Sequence, residues 1–259
     1  MNRQLSDRAG AQGSSPGLRH AAAASLLAAA AVLGGVSAHA DTLGGAGTNT
    51  IYAGVAALQN HASLGDLHGL NTPPGLNLDI GNATTLGLGF VHNVTDRWSV
   101  ELALGAPPTV HTDAKGANWA LLGIAPGTRI ADVDVLSPTV FLNWHPLSTR
   151  SRWDPFVGLG VNYTRFANTK ALTPLSHALG RTELSLSDSW GPAAHVGLTY
   201  HINQRWSVVG TVAIADVKST LTVTSYAPSG TGPSIVTSQS STDINFHPVI
   251  YTLAVGYSF

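Results

Sequence analysis

Apolar side chains fall on every second position in eight separate stretches of this chain, and most of the positions between them hold Gly, Ala, Ser, Thr or an isolated larger polar residue. The clearest stretch is WSVELALG from Trp98, where Trp98, Val100, Leu102 and Leu104 alternate with Ser99, Glu101 and Ala103. TTLGLGFVH from Thr84 sets Leu86, Leu88 and Phe90 against Thr85, Gly87 and Gly89, and SPTVFLNWH from Ser137 sets Val140, Leu142 and Trp144 against Thr139, Phe141 and Asn143. PFVGLGVNYTRF from Pro155 opposes Val157, Leu159, Val161 and Tyr163 to Phe156, Gly158, Gly160, Asn162 and Thr164. In SWGPAAHVGLTY from Ser189, Trp190, Val196 and Leu198 oppose Ser189, His195 and Gly197; in WSVVGTVAIAD from Trp206, Trp206, Val208, Val212 and Ile214 leave Ala213 on the other side. TIYAGVAAL from Thr50 is the least decided, because its alternate residues are all small or apolar. The chain ends in HPVIYTLAVGYSF, with Val249, Tyr251, Leu253, Val255, Tyr257 and Phe259 in one apolar row.

A strand turns successive side chains to opposite faces, so each stretch predicts a strand with one greasy face. Apolar-out and small-or-polar-in over segments of about ten residues is the pattern of a membrane-spanning barrel. The predicted fold is therefore all-β, an eight-stranded antiparallel transmembrane β-barrel. Three connections, HNVTDRW, HPLSTRSRWDP and HINQRW, are short and polar and each leads into a Trp; they are predicted to be periplasmic turns. The other connections, about 58–82, 105–131, 167–187 and 225–244, are predicted to be long extracellular loops. Trp98, Trp144, Trp190, Trp206, Tyr257 and Phe259 are expected to form the interfacial aromatic girdle. Glu101, Ala103, Phe141, Phe156, His195 and Ala213 fall on the inward face and are expected to line the lumen.

Composition agrees with a membrane wall made of strands. Charged residues are only 10% of the chain and hydrophobic ones 44%, and there is no cysteine. A quarter charged is typical of soluble domains. With 13 Lys and Arg against 14 Asp and Glu, no basic stripe exists to neutralise phosphates, which excludes nucleic acid as a partner. Residues 1–40 carry Arg3, Arg8 and Arg19, then the apolar run AAAASLLAAAAVLGGV, then Ala38-His39-Ala40. That is the order of a cleaved export signal, leaving 41–259 as the barrel domain. A single anchoring helix is the other reading of the apolar run, which at about sixteen residues is short for a span.

Candidate chemistry is sparse. The 11 histidines lie in leader, loops, turns and strand ends without an HExxH or a close His/Asp/Glu cluster, so no metal, cofactor or catalytic residue is expected. Glu101 inside a small lumen would be expensive unpaired, and His195, also inward, is a candidate partner. Some eight-stranded barrels are lipid-modifying enzymes with a Ser/His pair near the outer rim. No such pair is recognisable here, and a non-enzyme is expected.

Several blocks then resemble one family. LSLSDSWGPAAHVGLTYHINQRWSV from Leu184, DPFVGLGVNYTRF from Asp154, DRWSVELALGAPPTVH from Asp96, SPTVFLNW from Ser137 and the closing NFHPVIYTLAVGYSF are similar to the outer membrane protein W (OmpW) family in order and spacing. The resemblance implies an eight-stranded barrel in the outer membrane of a Gram-negative bacterium, with a narrow, largely apolar interior that passes small hydrophobic molecules. It implies outer-membrane lipid and lipopolysaccharide as surroundings. The final strand ending in Phe259 resembles the signal that barrel-assembly machinery reads. Better-known members constrict the lumen with a Leu on the third strand and a Trp on the seventh; those positions align here with Ala103 and Ala213, so a constriction is expected elsewhere, for instance at Phe141 or Phe156. A structural or adhesive barrel, whose Ser/Thr-rich loops bind surfaces without transport, is the alternative.

Overall fold

The structure is a computed structural model, and it describes residues 43–64, 66–70, 72–227 and 236–259. The leader predicted over residues 1–40 lies outside the described residues. The strands in chain order are β1 Asn49–Gln59, β2 Ala62–Leu64, β3 His68–Leu70, β4 Asn77–Ile80, β5 Ala83–Asn93, β6 Trp98–Gly105, β7 Thr109–Lys115 and β8 Arg129–Leu136. They continue with β9 Thr139–Trp144, β10 Trp153–Ala171, β11 Arg181–Leu186, β12 Ser189–His201, β13 Trp206–Ala215, β14 Val217–Tyr226, β15 Val236–Phe246 and β16 Val249–Ser258. A helix, α1 Thr173–Leu179, and a 3-10 turn, Ala117–Leu122, lie between strands.

Eight of these strands close on themselves in the order β1-β5-β6-β9-β10-β12-β13-β16, every neighbour antiparallel, with β16 returning to β1. They are the eight stretches that alternate in sequence. The large apolar side chains face out: Leu159 is 74% exposed, Trp190 73% and Leu253 65%. So wide an apolar belt has no place against water, and it is the lipid-facing wall of the barrel. Closure gives each of these eight strands a paired neighbour on both sides, as a span through hydrocarbon requires.

The turns repeat one device. Thr95 Oγ1 accepts from the amides of Arg97 and Trp98, and Asn203 Oδ1 accepts from those of Arg205 and Trp206. TDRW and NQRW are alike because each spends one short polar side chain on the same two amides. Beside these turns Trp98 pairs across strands with Trp144, and Trp206 meets Tyr257 edge-on with ring centroids 5.1 Å apart. Exposed Trp153, which the girdle expected from sequence lacks, joins this ring against Tyr200. Trp190 sits at the opposite end with Tyr163.

Each long connection contains paired strand, which differs from the loops expected there. β7 and β8 extend β6 and β9, the upper part of β10 pairs with β8, and β14 and β15 form a hairpin that continues β13 and β16. A second sheet, β11-β14-β15-β2, results, with β3 also on β15. The physical reason is an inversion of polarity. In the bilayer the outward face is apolar; above it Val217, Ser219, Leu221, Val223 and Ser225 turn inward and are buried while Lys218 and Thr220 face water. The inward faces enclose an apolar core of Leu76, Leu78, Trp119, Ile130, Leu175, Leu221, Ile244 and Phe246. Trp119 donates its indole N–H to Asn77 O at 2.7 Å. Above the membrane Asp134 on β8 accepts from Thr109 and Asn168, and chiefly the Thr109 hydrogen bond holds its carboxyl below the usual range.

Candidate functional site

A cavity of about 280 Å³ runs from that extracellular core down into the barrel lumen. Its upper wall is apolar, with Leu78, Trp119, Ile130, Leu221, Ile244 and Phe246 among its residues. Its middle is walled by small side chains, Gly87, Gly89, Ala103, Ala213, Thr252 and Ala254. Ala103 lies across from Gly89 on β5 and Thr139 on β9; Ala213 lies across from His195 and Ile250. Neither alanine itself narrows the lumen, which is filled by larger side chains beside and below them.

There a polar floor fills the barrel. Asn143, 1% exposed, donates from Nδ2 to Glu101 Oε2 at 2.8 Å, and its Oδ1 lies 2.7 Å from His195 Nε2. Because the amide nitrogen is spent on the carboxylate, Nε2 of His195 must carry the hydrogen. His195 and Glu101 are themselves 3.9 Å apart, so the expected pair exists with Asn143 as its bridge. Phe141 stacks on His195 at 3.8 Å between centroids and 7° between planes, and Phe156 meets the same imidazole edge-on at 5.3 Å. Room for these groups comes from glycine: a Cβ on Gly158 would overlap the Asn143 and His195 side chains, and one on Gly197 would overlap the Phe156 ring. Thus all six inward residues read from sequence line the cavity, and four of them, Glu101, Phe141, Phe156 and His195, come together in its floor.

Besides Asn143, four floor residues were not among those expected from sequence to line the lumen. Ser99 Oγ lies 2.9 Å from His145 Nε2, and His145 Nδ1 lies 2.9 Å from both oxygens of Asp154. Asp154 accepts from Nδ1–H, which leaves Nε2 to accept from the serine. The order is that of a nucleophile, a base and an orienting acid. Ser99, however, is 0% exposed, and its backbone is paired with Asn93 on one side and Asn143 on the other. The three groups satisfy one another and shut the floor. Ser99 and His145 stand 46 residues apart, a spacing without a motif; the signal that could have found them is that both are polar and fall on inward positions. The fourth is Tyr52, hidden by the undecided alternation of its strand; its ring lies over Gly256, where a Cβ would overlap it. Below them the segment before β1 packs against the turns, with Asn93 Nδ2 donating to Gly44 O and Asp96 Oδ1 accepting from Ala46 N at 3.1 Å.

The wall is interrupted beside the cavity between β6 and β9. β6 and β9 pair from Trp98–Trp144 to Ala103–Thr139, and pairing along that side resumes only where Val135 N donates to Pro108 O and Thr109 faces Asp134. Between them lie Leu104–Pro107 and Leu136–Pro138. Pro107, Pro108 and Pro138 have no N–H with which to continue the ladder. Leu104, Gly105, Pro108, Val135 and Ser137 at this seam also line the cavity.

Residues 45–259 match the family model described as the OmpW family. The chain is 33% identical over 181 residues to outer membrane protein W of Salmonella typhi, covering 70% of this chain and 76% of that protein. It is 26% identical over 186 residues to the dibenzothiophene metabolism operon protein PahQ of Pseudomonas aeruginosa, covering 72% and 76%. The crystal structure of the outer membrane protein OprG from Pseudomonas aeruginosa superposes with a TM-score of 0.72 at 29% identity, over 85% of this chain and 99% of that one.

Proposed function

Because the chain belongs to the OmpW family of outer-membrane β-barrels, we propose that it is a conduit for small hydrophobic molecules and performs no chemistry on them. The observation that carries this reading is the cavity of about 280 Å³, lined largely by apolar and small side chains from the extracellular core to mid-barrel, with its carboxylates and histidines gathered at the floor. An engineered cavity of about 150 Å³ already holds benzene, so this one has room for a one- or two-ring aromatic. The name of PahQ, which refers to dibenzothiophene metabolism, supports an apolar solute.

The route follows from the floor and the seam. Moving an apolar solute past Ser99, Glu101, Asn143, His145 and Asp154 would strip these groups of partners that they cannot regain from hydrocarbon. The unpaired seam between β6 and β9 opens instead toward lipid, at the height where the cavity is apolar. Solute enters from outside, occupies the chamber and leaves sideways into the membrane. Outer-membrane lipid and lipopolysaccharide surround the belt, and the assembly machinery reads the last strand.

The test is a titration of isotope-labelled protein in lipid nanodiscs with naphthalene, followed by NMR. Expected are saturable shifts at Trp119, Leu221 and Ile244. Shifts confined to lipid-facing residues such as Leu159 and Leu253 would overturn the proposal, since they would report partition into lipid alone.

A further inference from the structure

The cavity is apolar over most of its wall, yet its charges are of one sign. Among the described residues that line it are Glu101 and Asp154 and no Lys or Arg. Asp154 is engaged on both oxygens by His145. Glu101 is not: Oε2 accepts from Asn143, while no hydrogen bond to Oε1 is found among the described residues, and the carboxyl side chain keeps 12% exposure toward the cavity. Its neighbour across the strands is Phe141, which presents an apolar ring beside it. A half-satisfied carboxylate at the bottom of an apolar chamber lacks one partner, and a ligand can supply it.

We propose that Glu101 Oε1 is a recognition point for the ammonium of an otherwise apolar primary amine, whose hydrocarbon body occupies the chamber above. The deduction rests on the conduit reading and narrows its solute class. A primary ammonium brings donors to Oε1 and a positive charge to a site whose described lining has no Lys or Arg. A carboxylate of the same size meets Glu101 as a like charge and finds no Lys or Arg, so the chamber excludes it. A hydrocarbon of the same size fills the apolar part and leaves Oε1 as it was.

The measurement is calorimetric binding to the full barrel in nanodiscs at neutral pH, with empty nanodiscs subtracted, of 2-phenylethylamine, ethylbenzene and 3-phenylpropanoate. A hydrogen bond to a charged group corresponds to roughly 10- to 100-fold in affinity. The expected order is amine tighter than ethylbenzene by about that factor, and the acid undetectable. Glu101→Gln, which keeps an acceptor for Asn143, is expected to remove the preference for the amine over ethylbenzene. The wild-type comparison of three ligands stands even if that variant does not fold. Ethylbenzene binding with no preference for the amine, or a preference that survives Glu101→Gln, overturns the recognition role alone. Failure of all three ligands to bind overturns the conduit reading with it.

Discussion

Replacing Asn143 with Leu removes the amide that joins Glu101 to His195 while keeping a side chain branched at Cγ. Asn143 is 1% exposed, and its two hydrogen bonds measure 2.8 Å and 2.7 Å. A bond to a charged group contributes about 1.5–3 kcal/mol and one between neutral groups about 1 kcal/mol, so the pair is worth about 2.5–4 kcal/mol. Added apolar burial by Leu offsets about 1 kcal/mol of that. The net expectation is a loss of about 1.5–3 kcal/mol, much of it because Glu101 and His195 lose the amide that joins them while staying buried. Equilibrium urea unfolding from phospholipid vesicles reads this directly, since Trp98, Trp144, Trp153, Trp190 and Trp206 all face out and change surroundings on unfolding. The triple variant Glu101→Leu/Asn143→Leu/His195→Phe leaves no orphan and is expected to recover most of the loss. Wild-type stability for Asn143→Leu, or a triple variant weaker than the single one, would refute the view that the floor is held by mutual satisfaction of its polar groups.

Three further outcomes are expected. Phe259→Asp places a charge at an outward, 59% exposed position whose amide bonds to Asn49 O, and should lower the yield of assembled barrel in outer-membrane fractions while export is unaffected; normal assembly would contradict the role given to the last strand. Ala103→Leu with Ala213→Trp fills the middle of the cavity and should reduce apolar-solute flux several-fold with normal assembly, whereas Val100→Leu, facing lipid, should not; equal flux in the double variant and wild type would remove those positions from the route. Unboiled protein should migrate differently from boiled protein on gels, since a closed barrel resists detergent until heated; identical migration would contradict closure.

The barrel wall was legible because lipid enforces the simplest code a strand can carry. One face must be apolar over the whole span, so Val157, Leu159 and Val161 mark an outward row without ambiguity. The code fails in two places for physical reasons. Above the membrane water takes the place of lipid and the pattern inverts, so VTSQSSTDINF, with Ile244 and Phe246 turned inward, falls largely in the stretch 225–244 that was expected to be a loop. Inside the lumen a position carries no fixed polarity. Glu101 and Phe141 could be placed on the inner face, but that Asn143 would bridge Glu101 to His195, or that His145 and Asp154, nine residues apart across a turn, would meet Ser99, depends on strand stagger. Stagger is set by the closed ladder as a whole and by no local motif. Ala103 and Ala213 illustrate the same limit: their small size was plain, while the place where the lumen narrows came from rings lying over Gly158 and Gly197.

Passage of apolar solute is tested most directly by uptake in cells with intact lipopolysaccharide, where the outer leaflet itself slows such molecules. Initial uptake of naphthalene would be measured in a Gram-negative host producing the wild-type barrel, the Ala103→Leu/Ala213→Trp barrel at matched outer-membrane levels, or neither. The expected result is uptake several-fold faster with the wild-type barrel than without it, and a return toward background with the filled one. Uptake that is the same in all three strains would contradict the conduit.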